Sequence, residues 1–224
     1  MYSEGSMAVR REVDIPLGTL SLSGILSLPP GAIGLVLFVH GSGSSRFSSR
    51  NGFVAETLNA AGIGTLLFDL LSEEEDAIDR ITAELRFDIP LLTARVVGVT
   101  GWLQQDPDTE RLPLGYFGAS TGAAAALAAA ADSTEVAAIV SRGGRPDLAL
   151  SYLSAVRAPV LLIVGGNDPV VLDMNSKALA ELRSAKKLVV LEGATHLFEE
   201  PGALEEVARL ASDWFVRHLS SIPS

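Results

Sequence analysis

A serine, a histidine and a carboxylate can together transfer acyl groups, and this chain carries one of each just after a strand-like run ends. Ser120 is the centre of Gly118-Ala119-Ser120-Thr121-Gly122. Upstream, Leu112, Leu114, Tyr116 and Phe117 in a stretch bounded by Pro113 and Gly118 read as a short buried strand, and downstream Ala123 to Ala131 is a run of strong helix formers. A serine on such a sharp strand-to-helix turn projects its hydroxyl into a cleft, and glycines on both flanks let strand and helix approach closely. A hydroxyl is a weak nucleophile until a base takes its proton and an acid orients that base. The chain offers three histidines. His40 ends the apolar run Leu35 to Val39 and is expected to brace its loop, and His218 falls on a helix edge one turn after Trp214. His196 instead lies in Gly193-Ala194-Thr195-His196, directly after the strand-like Leu188 to Leu191, where a loop brings its ring over the carboxyl edge of a sheet. For the acid, Val160 to Val164 runs into Gly165-Gly166-Asn167-Asp168-Pro169, which places Asp168 at the same edge. Asp168 also reads as the cap of a helix that starts near Pro169.

The order Ser120, Asp168, His196 resembles that of α/β-hydrolases, and within them the chain is similar to the small, capless, dienelactone hydrolase-like group. The resemblance covers nearly the whole chain and includes a further element, His40-Gly41-Ser42-Gly43-Ser44. It implies an α/β-hydrolase fold, with a mostly parallel sheet of about eight strands, an N-terminal antiparallel hairpin, helices on both faces and no large cap domain. It further implies a catalytic triad of Ser120, Asp168 and His196, with the backbone N–H groups of Ser42 and Thr121 forming the oxyanion hole. One departure matters. Dienelactone hydrolases proper use a cysteine nucleophile and this chain has no cysteine, so the lactone substrate does not carry over with the fold.

The elements that must position these residues alternate as strand and helix along a single domain, 1–224, with 1–10 expected as a flexible lead-in. Val13 and Ile15, a turn at Leu17-Gly18, and then Leu20, Leu22, Leu26 and Leu28 separated by Thr19 and serines predict an antiparallel hairpin with one buried face. A strand over 34–39, a helix over 52–61 and a strand over 65–68 follow, then a helix marked by Pro90, Leu92, Val96, Val99 and Leu103, and a closing helix after Pro201. Net charge of −10 and a pI near 4.7 argue against a nucleic-acid surface. No apolar run approaches the ~20 residues needed to span a bilayer, so no membrane role is expected. The polar residues 1–11 lack a signal-peptide core, which predicts a cytoplasmic protein, although Met7 leaves the starting residue open. No dinucleotide fingerprint or phosphate loop is found, and Ser72 with Glu73, Glu74, Glu75 and Asp76 reads as the capped start of a solvated helix rather than a metal site; neither cofactor nor metal is expected.

Between the strands near 136–140 and 160–164 there is room for only a short helix, so the site should be open. Arg46, Arg50, Arg142 and Arg145 fall on segments at the active edge, where they could meet an anionic substrate or simply form ion pairs. Phe198, with Phe47, Leu70 and Leu71, could form a shallow apolar wall. The expected function is hydrolysis of small carboxylic esters of short or compact acyl groups through an acyl-enzyme. Acyl transfer, or cleavage of a thioester or amide, would use the same groups. A rival of another class is a non-catalytic ligand-binding protein on a hydrolase scaffold. Homo-oligomer formation is left open.

Overall fold

The computed structural model describes residues 9–220. Of the lead-in expected over 1–10, residues 1–8 lie outside the described residues, and Val9 and Arg10 already belong to a strand. That strand, β1 (Val9–Leu17), pairs antiparallel with β2 (Leu20–Leu28) across a tight turn at Gly18 and Thr19. Gly18 holds φ +68°, a conformation that a residue with a β-carbon adopts at a cost. β2 also pairs antiparallel with β4 (Gly64–Phe68), and from there the sheet is parallel through β3 (Leu35–Val39), β5 (Leu114–Ala119), β6 (Val136–Arg142), β7 (Val160–Gly165) and β8 (Lys186–Leu191). The order across the eight-stranded sheet is β1-β2-β4-β3-β5-β6-β7-β8.

Both faces of the parallel strands are covered, so they read as continuous apolar runs rather than as alternating ones. Leu35, Leu37 and Val39 face one core with Val160 and Leu162, whereas Val36, Phe38, Leu161 and Ile163 face the other. Helices α1 (Ser49–Ala60) and α7 (Ala203–Leu219) close the second face. The first is closed by α3 (Ile89–Leu103), α4 (Thr121–Ala131), the single turn α5 (Leu150–Leu153) and α6 (Pro169–Glu181). The alanine run makes α4 thin enough to be buried along its whole length, pressed between α3 and the sheet. The acidic run starts α2 (Glu73–Thr82): the Ser72 hydroxyl accepts from Glu75 N–H while the Glu75 carboxylate accepts from Ser72 N–H, the reciprocal cap expected of that spacing.

Some boundaries differ from the sequence reading. The helix expected from 52 starts at Ser49, because the Ser48 hydroxyl caps it by accepting from Asn51 N–H. Strand β6 continues past 140 through Ser141 and Arg142, which pair with β5 on one side and β7 on the other; Arg142 is therefore the end of a central strand and not a loop residue. Between β6 and β7 stand only a short 3-10 turn, Pro146–Ala149, and α5, so no cap domain covers the sheet's carboxyl edge. No helix among the described residues is long and apolar enough to cross a membrane.

Candidate active site

The chain turns from β5 into α4 at Ser120, which holds φ +50° and ψ −123°. For a residue with a side chain this backbone conformation costs about 1–3 kcal/mol. The surroundings enforce it. A β-carbon on Gly118 would sit 2.4 Å from Ala123 Cα, and one on Gly122 would sit 2.2 Å from the Val39 carbonyl oxygen. Only glycines permit strand, turn and helix to come this close. Ser120 N–H donates to the Arg142 carbonyl at 3.2 Å, and the Ser120 carbonyl accepts from Arg145 N–H at 3.0 Å, so the serine is fastened on both sides of its Cα to the end of β6 and to the loop that follows it.

His196 and Asp168 arrive on the loops after β8 and β7. Their side chains meet, His196 Nδ1 to Asp168 Oδ2 at 2.7 Å. Asp168 Oδ1 also accepts from Val171 N–H at 3.4 Å, with Pro169 in the first turn, so the capping and orienting readings of this residue are compatible. The carboxylate side chain is 16% exposed and the imidazole 37%, which leaves the ring accessible from the open edge. Gly143, next to the strand end that holds Ser120, lies under the His196 ring; a β-carbon there would be 3.4 Å from Nδ1 and Cε1. Among the described residues no hydrogen bond joins Ser120 Oγ to His196. Such contacts often close only in the complex with substrate.

On the other side of Ser120 lies the loop after β3. His40 is buried, and its Nε2 accepts from Leu70 N–H at 3.1 Å, which fixes the proton on Nδ1, 2.9 Å from the Gly41 carbonyl. Burial pulls its pKa below the ordinary value, so the ring is a neutral brace between two loops. Gly41 packs against Ser120, where a β-carbon would be 3.0 Å from Ser120 Cβ. Ser42 N–H does not point freely into the site. It donates to Thr121 Oγ1 at 2.9 Å. The GASTG sequence names a threonine at this position, but a bond to a residue 79 positions away leaves no local signal. Ser42 and Thr121 both line a cleft of about 780 Å³ that runs along the hairpin side, past Asp69, Leu70 and Arg86.

The residues expected to contact substrate fare differently. Arg46 is held by Asp69, and Arg145 forms a two-pronged pair with Asp147 at 2.8 Å for each contact, which raises its pKa. Arg50 reaches Glu199 at 3.4 Å. Arg142 is buried, its Nε and Nη1 find no hydrogen-bond partner among the described residues, and its guanidinium stands 5.9 Å from the Phe198 ring. Burial, and then the nearby Arg50 charge, bring its pKa down to about 10. Phe198, expected at the pocket wall, is 1% exposed and belongs to the core under α1 and α7. Its partners come from several elements, which is why its short loop did not reveal its burial.

The family model described as the Dienelactone hydrolase family matches residues 51–220. The chain belongs to the dienelactone hydrolase family. A crystal structure of dienelactone hydrolase from Anabaena variabilis superposes on this family member with a TM-score of 0.93 and 56% identity, covering 95% of this chain and 99% of that one. Est1E from Butyrivibrio proteoclasticus has a TM-score of 0.79 at 16% identity, over 94% of this chain and 99% of its own, which shows the shared α/β-hydrolase fold. In sequence, a Mycobacterium tuberculosis protein named "Putative phosphoribosyl transferase" is 57% identical over 209 residues, which is 93% of this chain and 46% of that protein. The chain thus spans about half the length of the curated relatives it matches.

Proposed function

We propose that this chain is a serine hydrolase that cleaves small carboxylic esters through an acyl-enzyme. The observation that carries this reading is the 2.7 Å pairing of His196 with Asp168 on loops at the sheet edge where Ser120 stands in its strained turn. Asp168 accepts a hydrogen bond from Nδ1–H, so the Nε2 lone pair is the basic one and the ring can take the proton of Ser120 Oγ as that oxygen attacks the ester carbonyl. The carbonyl oxygen gains negative charge near the start of α4, where the Thr121 backbone N–H stabilises it. Collapse of the tetrahedral intermediate breaks the bond to the alcohol oxygen, which takes the proton from His196. A water then repeats the sequence and releases the acid. Asp168 stays ionised throughout and stabilises the imidazolium.

The transferase name belongs to a protein about twice as long, and we assign none of that chemistry to this chain. A fluorophosphonate probe and p-nitrophenyl acetate test the proposal on wild type and Ser120→Ala. Expected are labelling and turnover by wild type and neither by the variant, with unchanged circular dichroism. Equal turnover by the two proteins would falsify the role of Ser120, and an unlabelled, inactive wild type that still binds ligands would favour a binding protein.

A further inference from the structure

Thr121 carries two protons that no group among the described residues accepts. Its backbone N–H opens α4, where no preceding helical turn supplies a carbonyl, and its hydroxyl is an acceptor only, from Ser42 N–H at 2.9 Å. Ser42 N–H, the second donor that the family resemblance implies for the oxyanion, is therefore already engaged. To serve the oxyanion directly it would have to abandon a well-formed bond, and Thr121 Oγ1 would lose its one donor among the described residues. The hydroxyl has the opposite standing. Accepting from an amide aligns its dipole and makes its own hydrogen a better donor. Thr121 is 3% exposed, packed at the base of the cleft that it shares with Ser42, and it directly follows Ser120.

We propose that Thr121 supplies both oxyanion contacts, through its N–H and its hydroxyl, and that Ser42 N–H stands behind the hydroxyl as its orienting donor without touching the oxyanion. No proton changes owner in this arrangement; the hydroxyl donates a hydrogen bond that strengthens as the carbonyl oxygen becomes anionic and relaxes when the carbonyl re-forms. The inference rests on the esterase reading above. It inverts the expected consequence of removing the hydroxyl. If Ser42 were the direct donor, Thr121→Val would free its N–H and leave turnover unchanged or faster.

The test compares wild type, Thr121→Val, Thr121→Ala and Thr121→Ser on p-nitrophenyl acetate, with Ser120→Ala as the blank. Loss of one oxyanion donor lowers kcat by about a hundredfold, so valine and alanine should each show a fall of this order with KM within about twofold, and serine should restore most of it. An aryl boronic acid, which forms a tetrahedral anion on the serine, should lose affinity in parallel with kcat, whereas binding of the carboxylic acid product should not change. A purely structural threonine would not move this pair of affinities apart. Wild-type kcat in a folded Thr121→Val or Thr121→Ala protein, with Ser120-dependent turnover intact, overturns this inference alone. A wild type without Ser120-dependent turnover overturns the esterase reading and this inference with it.

Discussion

His40 sits at the junction of two loops and titrates against the fold. Its Nε2 accepts from Leu70 N–H, so a proton on that nitrogen would face a donor and remove the brace. Burial lowers its pKa in the native protein, while in the unfolded chain the ordinary value of 6.5 applies. Above pH 6.5 both states hold a neutral ring and the contribution to stability is complete; below it the unfolded chain binds a proton that the native protein refuses, and stability falls until the native pKa is reached. Urea midpoints measured at about pH 8 and about pH 5.5 should drop more in wild type than in His40→Gln. Equal drops would place the acid sensitivity elsewhere, with His218, whose pKa is also lowered by burial and by Arg217, as the remaining histidine with that sign. Residue types and their spacing made Asp168, His196 and the bracing role of His40 legible, because each follows an apolar run that ends at the same edge. The arginines were less legible. Asp147 stands two positions after Arg145 and offered a signal, but the Asp69 partner of Arg46 is 23 residues away and the burial of Arg142 depends on a ladder with β5 and β7.

At the scale of elements, the turn from β5 to α4 is held by what its glycines leave out. Gly122 faces the carbonyls of Val39 and His40, backbone groups at the end of a central strand that cannot rotate away. Gly122→Ala should therefore cost about 3 kcal/mol or more, and should lower the thermal midpoint or the yield of folded protein. Gly101 in α3 makes the contrasting case, since a β-carbon there meets nothing within 4 Å. Gly101→Ala should stabilise by about 0.5–1 kcal/mol through helix propensity and a less disordered unfolded chain. Two glycine-to-alanine changes with effects of the same sign would refute the account of the elbow. The elements themselves were readable from apolar runs and breakers, and the hairpin from its alternation. Their ends were not, since Ser48 and the extension of β6 are decided by a cap and by strand partners.

Over the whole molecule, the missing insertion between β6 and β7 sets the shape of the site. A 3-10 turn and the single-turn α5 leave the sheet edge open, and no tunnel is built there for a long acyl chain. Each methylene buried in such a tunnel would be worth about 0.8 kcal/mol, an affinity that an open edge forgoes. Across p-nitrophenyl esters from acetate to decanoate, below the micelle concentration, kcat/KM should be greatest for the short acyl groups. A steady rise with length would instead reveal an acyl tunnel, and the cleft along the hairpin is the place where one would have to form. The sequence showed the shortage of residues in this connection, but not that a cleft of about 780 Å³ would lie beside Ser42 and Thr121.

From Leu114 to Ala131 every residue but Ser120 is buried, strand and helix alike. A helix without a solvent face cannot peel off one turn at a time, and its amides can exchange their hydrogens only when the surrounding layers open together. The segment that holds Ser120 thus belongs to the slowest-opening part of the protein, while Asp168 and His196 ride on loops at the sheet's open edge. On warming, the histidine side of the site would loosen first and reversibly, and the serine side would hold its shape until the chain lets go as a whole.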